Sequence, residues 1–341
     1  MNYVRMGSTG TQVSRLCLGC MSFGQRMAEW ALSEEDSLPI LKKAVEAGIN
    51  FFDTADIYGR GESEEILGRG LKSLAVRRDE AVIATKVFVP MGSGPNMGGL
   101  SRKHIHQSID ASLARLQLDY VDLYQIHRFD YATPLEETIE ALDDVVKAGK
   151  ALYIGASSMF AYQFSKYLHR ADALGRTRFA MMQNHYNLLY REEEREMNPL
   201  CLDEGVGLIP WSPLAGGRLA GNREAETTRS RSHNARTRYN RPVDDAVVEA
   251  LRAVATERGE TPAQVAIAWL LAKPAVTAPI IGATKLSHLD DPLRALETPL
   301  SPEEVERLEA PYETQAVIGA LSEGAPPPNP DHARAGSGGR R

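Results

Sequence analysis

Several features that mark other classes of protein are scarce in this sequence. The 341 residues include only three cysteines, Cys17, Cys20 and Cys201, too few for a small disulfide-stapled secreted fold. Lysine and arginine number 39 against 45 aspartate and glutamate, a net charge of −6. Nucleic-acid-binding proteins normally carry a basic excess, so we predict no nucleic-acid partner. The first residues, MNYVRMGSTGTQVS, contain no apolar signal region, and we therefore expect a cytoplasmic protein.

The sequence also lacks an uninterrupted apolar run that could cross a membrane. Ala263–Ala283, AQVAIAWLLAKPAVTAPIIGA, comes closest, but Lys273 and Pro274 interrupt it and Pro279 follows. A membrane-spanning helix needs about 20 consecutive, mostly apolar residues. We therefore predict a buried helix that ends near Ala272, then a short buried strand, and no association with membranes.

Two short motifs suggest metal or redox chemistry but have unsuitable geometry. Cys17 and Cys20 have CxxC spacing within an extended segment, RLCLGCM. In a strand, such residues point to opposite faces about 10 Å apart, whereas a disulfide needs Cα atoms closer than about 7 Å. His104 and His106 fall two positions apart on a predicted helix, where they do not face each other. We predict no disulfide at the cysteine pair and no metal at either motif.

Strand-length apolar runs recur along the chain, with helical patterns between them. The eight runs are Arg15–Met21, Asn50–Ala55, Ala81–Lys86, Val121–His127, Ala151–Ser157, Phe179–His185, Val206–Ser212 and Thr277–Ala283. The clearest helical patterns are Ser33–Gly48, Ser101–Leu116, Pro134–Gly149 and Pro262–Ala272, each beginning with serine or proline. Because the strand runs are continuously apolar, they indicate a parallel sheet covered on both faces.

Eight strand–helix units predict an α/β fold of the (β/α)8 TIM-barrel type. The alternative is an open doubly wound sheet, which normally carries a GxGxxG loop after its first strand; Leu18–Gly24, LGCMSFG, lacks that spacing. Tyr3–Ser14 predicts an N-terminal β-hairpin at the barrel floor. We expect one domain over residues 1–319 and a disordered tail over residues 320–341, which are rich in proline and glycine.

Four polar residues follow successive predicted strands and should meet at one rim. Active sites of barrels lie at the carboxyl ends of the strands, where Asp53, Tyr58, Lys86 and His127 fall. Each residue taken alone has a structural explanation: a turn cap, an interface aromatic, a solvated strand end or a core histidine.

Taken together, the four residues suit acid–base chemistry at a carbonyl group. An ammonium near a tyrosine lowers the phenol's pKa from its usual value of about 10, so Lys86 would tune Tyr58 as a proton donor. Asp53 would hold Lys86, and His127 would orient the carbonyl or relay the proton. None of these side chains supplies a hydride, so the chemistry requires a cofactor.

Several longer motifs surround these four residues: FDTADIYG with SEEILG, ATK, LARL with DYVDLYQIH, GAS, QN, PWSPL and PIIGAT. On these motifs the sequence resembles the aldo-keto reductases from about Tyr3 to Gly319. The catalytic tetrad of that family falls on the four rim residues without substitution. The resemblance implies a barrel that reduces a small aldehyde or ketone with NADPH, less often NADH. The C-terminal segments LEAPY and VIG are similar to a bacterial branch and to the potassium-channel β-subunit-like branch.

The same resemblance implies a cofactor site. At the nicotinamide end, it assigns Ser157 and Gln183 to the carboxamide and Trp211 to stacking on the ring. It assigns the pyrophosphate to Ser212, Leu214, Gly216 and Arg218. At the adenosine end, it assigns the 2′-phosphate region to Gly282, Thr284, Lys285 and His288, and the adenine to Asp291. The chain departs from the family in having Ser158 and Pro292 where asparagines are usual. It also lacks the arginine that often contacts the 2′-phosphate.

Substrate contacts and the alternatives to a reductase are less constrained by the sequence. Phe23, Trp30 and Phe88 are candidates to line an apolar pocket, although surface packing explains them equally well. Gly221–Arg241, dense in arginine, suggests an anion clamp or lid, with RNA binding and simple solvated charge as alternatives.

Two functions other than a reductase could use the same four rim residues. A cofactor-sensing regulatory subunit would share the same cofactor site. A lyase or isomerase with Lys86 as a Schiff-base amine is disfavoured, because a neighbouring acid keeps that amine protonated.

Overall fold

The computed structural model describes residues 1–28, 30–221 and 238–318. The tail at 320–341, which we expect to be disordered, lies outside these residues. Most of the arginine-rich segment also lies outside them, at 222–237. The described residues form two sheets and the helices that surround the larger one.

Eight parallel strands form the barrel, and an antiparallel hairpin precedes them. The hairpin strands are β1 (Tyr3–Arg5) and β2 (Gln12–Ser14), and the barrel strands are β3 (Cys17–Gly19), β4 (Phe51–Asp53), β5 (Val82–Val87), β6 (Val121–Ile126), β7 (Ala151–Ser157), β8 (Phe179–Gln183), β9 (Gly207–Leu208) and β10 (Ile280–Gly282). They pair in chain order, with β10 beside β3. The Thr277 amide donates 2.8 Å to the Leu208 carbonyl and the Ile280 amide 2.9 Å to the Pro210 carbonyl, which closes the ring. The prediction of a barrel is confirmed.

Ten α-helices of the described residues follow the strands around the outside of the barrel. They are α1 (Glu34–Glu46), α2 (Glu62–Ser73), α3 (Arg102–Leu116), α4 (Leu135–Lys147), α5 (Ala161–Ala173), α6 (Met197–Asp203), α7 (Pro242–Arg258), α8 (Pro262–Leu271), α9 (Asp290–Ala295) and α10 (Pro302–Glu309). Ser33 and Ser101 cap α1 and α3 by accepting amide hydrogen bonds, as the sequence predicted. No helix in the described part of the chain has the length and apolarity that a membrane crossing requires.

The barrel strands place alternate side chains in two separate cores. Phe51, Ala84 and Leu123 belong to the cluster inside the barrel, whereas Phe52 and Ile83 pack outward against the helices. This alternation follows from the two-residue period of a strand. It also separates Cys17, which is inside, from Cys20, which is outside; both are buried free thiols.

The N-terminal hairpin closes the floor of the barrel, as predicted. Met6 and Val13 from the hairpin pack into the inner cluster, and the Ser8 amide donates 2.8 Å to the Gly205 carbonyl. Gly7 makes the tight turn possible, with φ at +59°. A Cβ atom at that position would lie 2.5 Å from the Ala180 carbonyl oxygen, so no larger residue fits without backbone movement.

We expect Gly7→Ala to destabilise the protein by about 3 kcal/mol, because left-handed strain and overpacking each contribute about 1–3 kcal/mol. Gly10→Ala is the matched control, since a Cβ there meets nothing within 4 Å. Its effect should stay within about 0.5 kcal/mol. Urea unfolding of the three proteins measures both effects, and equal stability of the two variants would contradict this account of the floor.

Candidate active site

The two-residue period of the strands brings the predicted polar residues to the open end of the barrel. Asp53 and Lys86 each lie two positions after an inward-facing apolar residue, Phe51 and Ala84. They therefore point inward as well, one layer nearer the carboxyl ends of their strands. Neighbouring strands thus deliver their last inward side chains to a common point.

Lys86 lies at the centre of this group. Its Nζ donates 2.6 Å to Asp53 Oδ2 and 2.8 Å to the Thr54 carbonyl, and it lies 3.4 Å from Tyr58 Oη. The exposed fractions of the Lys86 and Asp53 side chains are 0% and 3%. A buried pair of this kind is stable only when its other hydrogen-bonding atoms also have partners.

Two glutamines provide those partners for the carboxylate. Asp53 Oδ1 accepts from Gln125 Nε2 at 3.0 Å and from Gln183 Nε2 at 2.8 Å. Sequence reasoning missed Gln125, although a polar residue at an inward position of the apolar strand β6 was the available signal. Gln183, assigned by resemblance to the nicotinamide, directs its amide nitrogen at the Asp53 carboxylate.

The protonation states of Lys86 and Tyr58 depend on their burial and on the charges beside them. Burial lowers the pKa of Lys86, but Asp53 and then Tyr58 outweigh it, so the net pKa is raised and the ammonium persists. Burial raises the pKa of Tyr58, and the charge of Lys86 offsets this only in part. The expectation that Lys86 leaves this tyrosine with a lowered pKa is therefore corrected: the phenol holds its proton.

His127 lies beside the tyrosine as a neutral imidazole. The two rings meet edge to face, with centroids 5.8 Å apart. Burial, followed by the charges of Arg128 and Lys86, holds the pKa of His127 well below its usual range. Its Nδ1 is buried and has no hydrogen-bond partner among the described residues. Such an atom is suited to a hydrogen bond with a bound molecule.

Trp211 is held in a stack of aromatic rings at the same end of the barrel. The His185 ring lies parallel to it at 4.1 Å, and Tyr190 stacks on His185 at 4.2 Å. The Trp211 indole N–H donates 2.8 Å to Ser158 Oγ, so the serine that replaces the usual asparagine has a positioning contact. The His185 ring covers one face of the indole, and the Arg238 guanidinium lies 5.4 Å from the centroid of the Trp211 ring. Neither His185 nor Tyr190 was predicted.

The segment after Trp211 is shaped by left-handed backbone. Ser212 and Gly216 have φ angles of 54° and 66°. Turns of this kind group backbone N–H donors and suit an anion such as a pyrophosphate. Leu214 packs partly against the core, and Arg218 forms an ion pair with Asp245 at 2.7 Å, so its charge already has a partner.

The residues assigned to the adenosine phosphate gather after β10. The Thr284 amide lies 3.3 Å from His288 Nδ1, while Gly282, Lys285 and His288 are exposed. Asp291, in the first turn of α9, lies 3.7 Å from Arg294. Two exposed basic side chains in one short turn fit a phosphate group.

The three candidate substrate residues occupy different environments. Phe23 is 0% exposed and belongs to the hydrophobic core between the barrel and its helices. It therefore offers no surface to a ligand, and the prediction that it lines a substrate pocket is not supported. Trp30 and Phe88 are partly exposed near the rim. His104, which the sequence placed in a possible metal motif, contacts the Gly99 carbonyl at 2.9 Å and Ser108 Oγ at 3.1 Å.

Comparison with known proteins identifies the family of this chain. A sequence model of the Aldo/keto reductase family matches residues 15–313. The chain belongs to that family. Versiconal hemiacetal acetate reductase of Aspergillus parasiticus is 42% identical over 341 residues, covering 93% of this chain and 98% of that protein. A putative aryl-alcohol dehydrogenase of Schizosaccharomyces pombe is 40% identical, with 91% and 95% covered.

A third relative, the aldo-keto reductase AMT2 of Alternaria alternata, is 42% identical and covers 93% of each chain. These relatives are fungal, whereas the C-terminal residues suggested a bacterial branch. The family resemblance itself is confirmed. As an aldo-keto reductase, the protein is an oxidoreductase that acts on carbonyl compounds, in a family that generally uses nicotinamide cofactors.

Asp56 is a buried acid that the aldo-keto reductase tetrad does not use. It lies in the turn after β4 and is 0% exposed, and neither carboxylate oxygen meets a hydrogen-bond partner of ordinary geometry among the described residues. Burial, followed by the nearby Glu64 carboxylate, raises its pKa from 3.8 to about 8. The backbone amide of Ile57, followed by the charges of Arg115 and Lys86, lowers the pKa and offsets this rise only in part.

We expect Asp56→Asn to remove a pH dependence of stability. The raised pKa means that the folded protein keeps this proton while the unfolded chain releases it, so wild-type stability falls between pH 4 and 8 as pH rises. At pH 9 the variant should be more stable than wild type by about 5 kcal/mol, because folding raises the pKa of Asp56 from 3.8 to about 8, and at pH 4 the two should be similar. Urea unfolding across this range, with the exposed Asp119→Asn as control, measures the effect. Parallel curves for wild type and Asp56→Asn would exclude it.

Proposed function

We propose that the protein reduces an aldehyde or ketone to an alcohol with NADPH, and that Tyr58 is the general acid. The observation that supports this most directly is the buried contact of Lys86 with both Asp53 and Tyr58, at 2.6 Å and 3.4 Å. A bound nicotinamide cofactor would supply hydride to the carbonyl carbon. The side chains of the barrel must then deliver a proton to the carbonyl oxygen.

The environment of Tyr58 suits this proton transfer. Its raised pKa keeps the phenol protonated before reaction. When the proton leaves, the phenolate lies beside the Lys86 ammonium, which Asp53 fixes in position. The neutral His127 can donate a hydrogen bond to the same oxygen and orient the carbonyl. A protonated Lys86 is also a poor Schiff-base nucleophile, which argues against the lyase or isomerase alternative.

The residues around Trp211 and after β10 fit a nicotinamide dinucleotide. Trp211 would stack under the nicotinamide with Ser157 beside it, and the turn from Ser212 to Gly216 would meet the pyrophosphate. Lys285 and His288 would hold the 2′-phosphate, which favours NADPH over NADH. Trp30 and Phe88 are the candidate apolar contacts of the substrate.

We expect Tyr58→Phe to lower kcat by about 10²- to 10⁴-fold, because the variant keeps the ring but has no proton to give. NADPH affinity should change little, since the substitution removes no cofactor contact. The assay is loss of NADPH absorbance with a panel of aldehydes, and Tyr120→Phe, at the opposite end of the barrel, is the control. Undiminished turnover in Tyr58→Phe would overturn the acid role. Tight NADPH binding without turnover by wild type would favour the regulatory alternative.

We expect Lys285→Ala and His288→Ala each to weaken NADPH binding by about 10-fold, the effect of losing one charge-assisted hydrogen bond. NADH lacks the 2′-phosphate, so its affinity should hardly change. Titration of the intrinsic tryptophan fluorescence measures both cofactors, with the exposed Lys72→Ala as control. Equal losses for NADPH and NADH would remove these residues from the phosphate site.

A further inference from the structure

Arg128 is a cation beside the catalytic group that no part of the proposed mechanism uses. It follows His127 directly at the end of β6, and its side chain is only partly exposed. Its Nη1 donates 2.6 Å to the His127 carbonyl and lies 3.4 Å from Ser157 Oγ. No carboxylate of residues 1–28, 30–221 or 238–318 forms an ion pair with it. By contrast, Arg115 at the same end of the barrel pairs with Glu64 at 2.6 Å.

A second arginine adds positive charge at the same place. The Arg238 guanidinium lies 5.4 Å from the centroid of the Trp211 ring. Burial and the charge of Arg238 lower the pKa of Arg128, and both arginines lower the pKa of the buried His185. Like charges held together in a partly buried site raise the free energy of the folded protein unless an anion joins them.

The position of Arg128 close to Tyr58 indicates which kind of anion could pair with it. Arg128 directly follows His127 in the chain, and the His127 ring meets the Tyr58 ring edge to face with centroids 5.8 Å apart. A molecule whose carbonyl oxygen contacts Tyr58 would therefore bring its neighbouring substituents within reach of the guanidinium. The planar fork of arginine matches a carboxylate with two parallel hydrogen bonds.

We propose that Arg128 is a specificity residue that binds a carboxylate on the carbonyl substrate. The inference rests on the proposed reductase function and narrows its substrate class to oxo acids and carboxyl-bearing aldehydes. The carboxylate pairs with Arg128 while the carbonyl oxygen is held by Tyr58 and His127.

The test compares a substrate that carries a carboxylate with its uncharged methyl ester. We measure kcat/KM of wild type and Arg128→Met for 3-carboxybenzaldehyde and for methyl 3-formylbenzoate. For the acid, the variant should lose about 10- to 100-fold, the range expected for a charge-assisted hydrogen bond. For the ester, the loss should be several times smaller. Arg128→Lys should restore part of the activity on the acid, because it returns the charge without the planar fork.

Two further measurements separate specific from general effects. Arg77→Met is the matched control, since this arginine is 70% exposed in the loop before β5, at the far end of the barrel; it should behave as wild type with both substrates. Fluorescence titration with NADPH shows whether Arg128→Met harms the cofactor site. Equal losses on acid and ester, or a parallel loss of NADPH affinity, would show that Arg128 serves the tyrosine or the cofactor instead.

A binding measurement tests Arg128 independently of turnover. Calorimetric titration of benzoate into the protein with NADP+ should show binding that Arg128→Met abolishes and Arg77→Met retains. Unchanged benzoate affinity in Arg128→Met overturns the carboxylate site even if the enzyme is an active reductase. Absence of turnover with every aldehyde, but with this Arg128-dependent binding intact, overturns the proposed reductase function and leaves the anion site standing.

Discussion

The buried ion pair between Lys86 and Asp53 is the interaction on which the rest of the site depends. An ammonium removed from water costs several kcal/mol unless a well-placed partner compensates it. Asp53 is such a partner because Gln125 and Gln183 occupy its second oxygen and leave it no other orientation. The fixed lysine in turn lies 3.4 Å from the Tyr58 hydroxyl, so its charge acts on that phenol.

The barrel makes this ion pair possible by isolating it from the solvent on all sides but one. The hairpin closes the floor, the inner apolar cluster fills the middle, and the polar layer forms the top. The same alternation of side chains that packs Phe51 and Ala84 inside the barrel places the next inward residues in the polar layer. Packing below and chemistry above are therefore consequences of one strand period.

The upper rim carries positive charge that its acids balance only in part. The ammonium of Lys86 is compensated by Asp53, but Arg128 has no acid among the described residues, and Arg238 adds charge of the same sign. Trp211 is fixed from one side by His185, and the Arg238 guanidinium lies 5.4 Å from its ring centroid.

The sequence by itself determined the strand–helix alternation, the tetrad and the family, because continuous apolar runs and residue types at strand ends are local properties. It did not determine the burial of Phe23 and Asp56, the turn of Gln183 towards Asp53, or the stack behind Trp211. Those depend on which atoms meet across strands distant in the chain. Tertiary structure also decided the direction of the Tyr58 pKa, since burial outweighs the neighbouring charge that the sequence alone revealed.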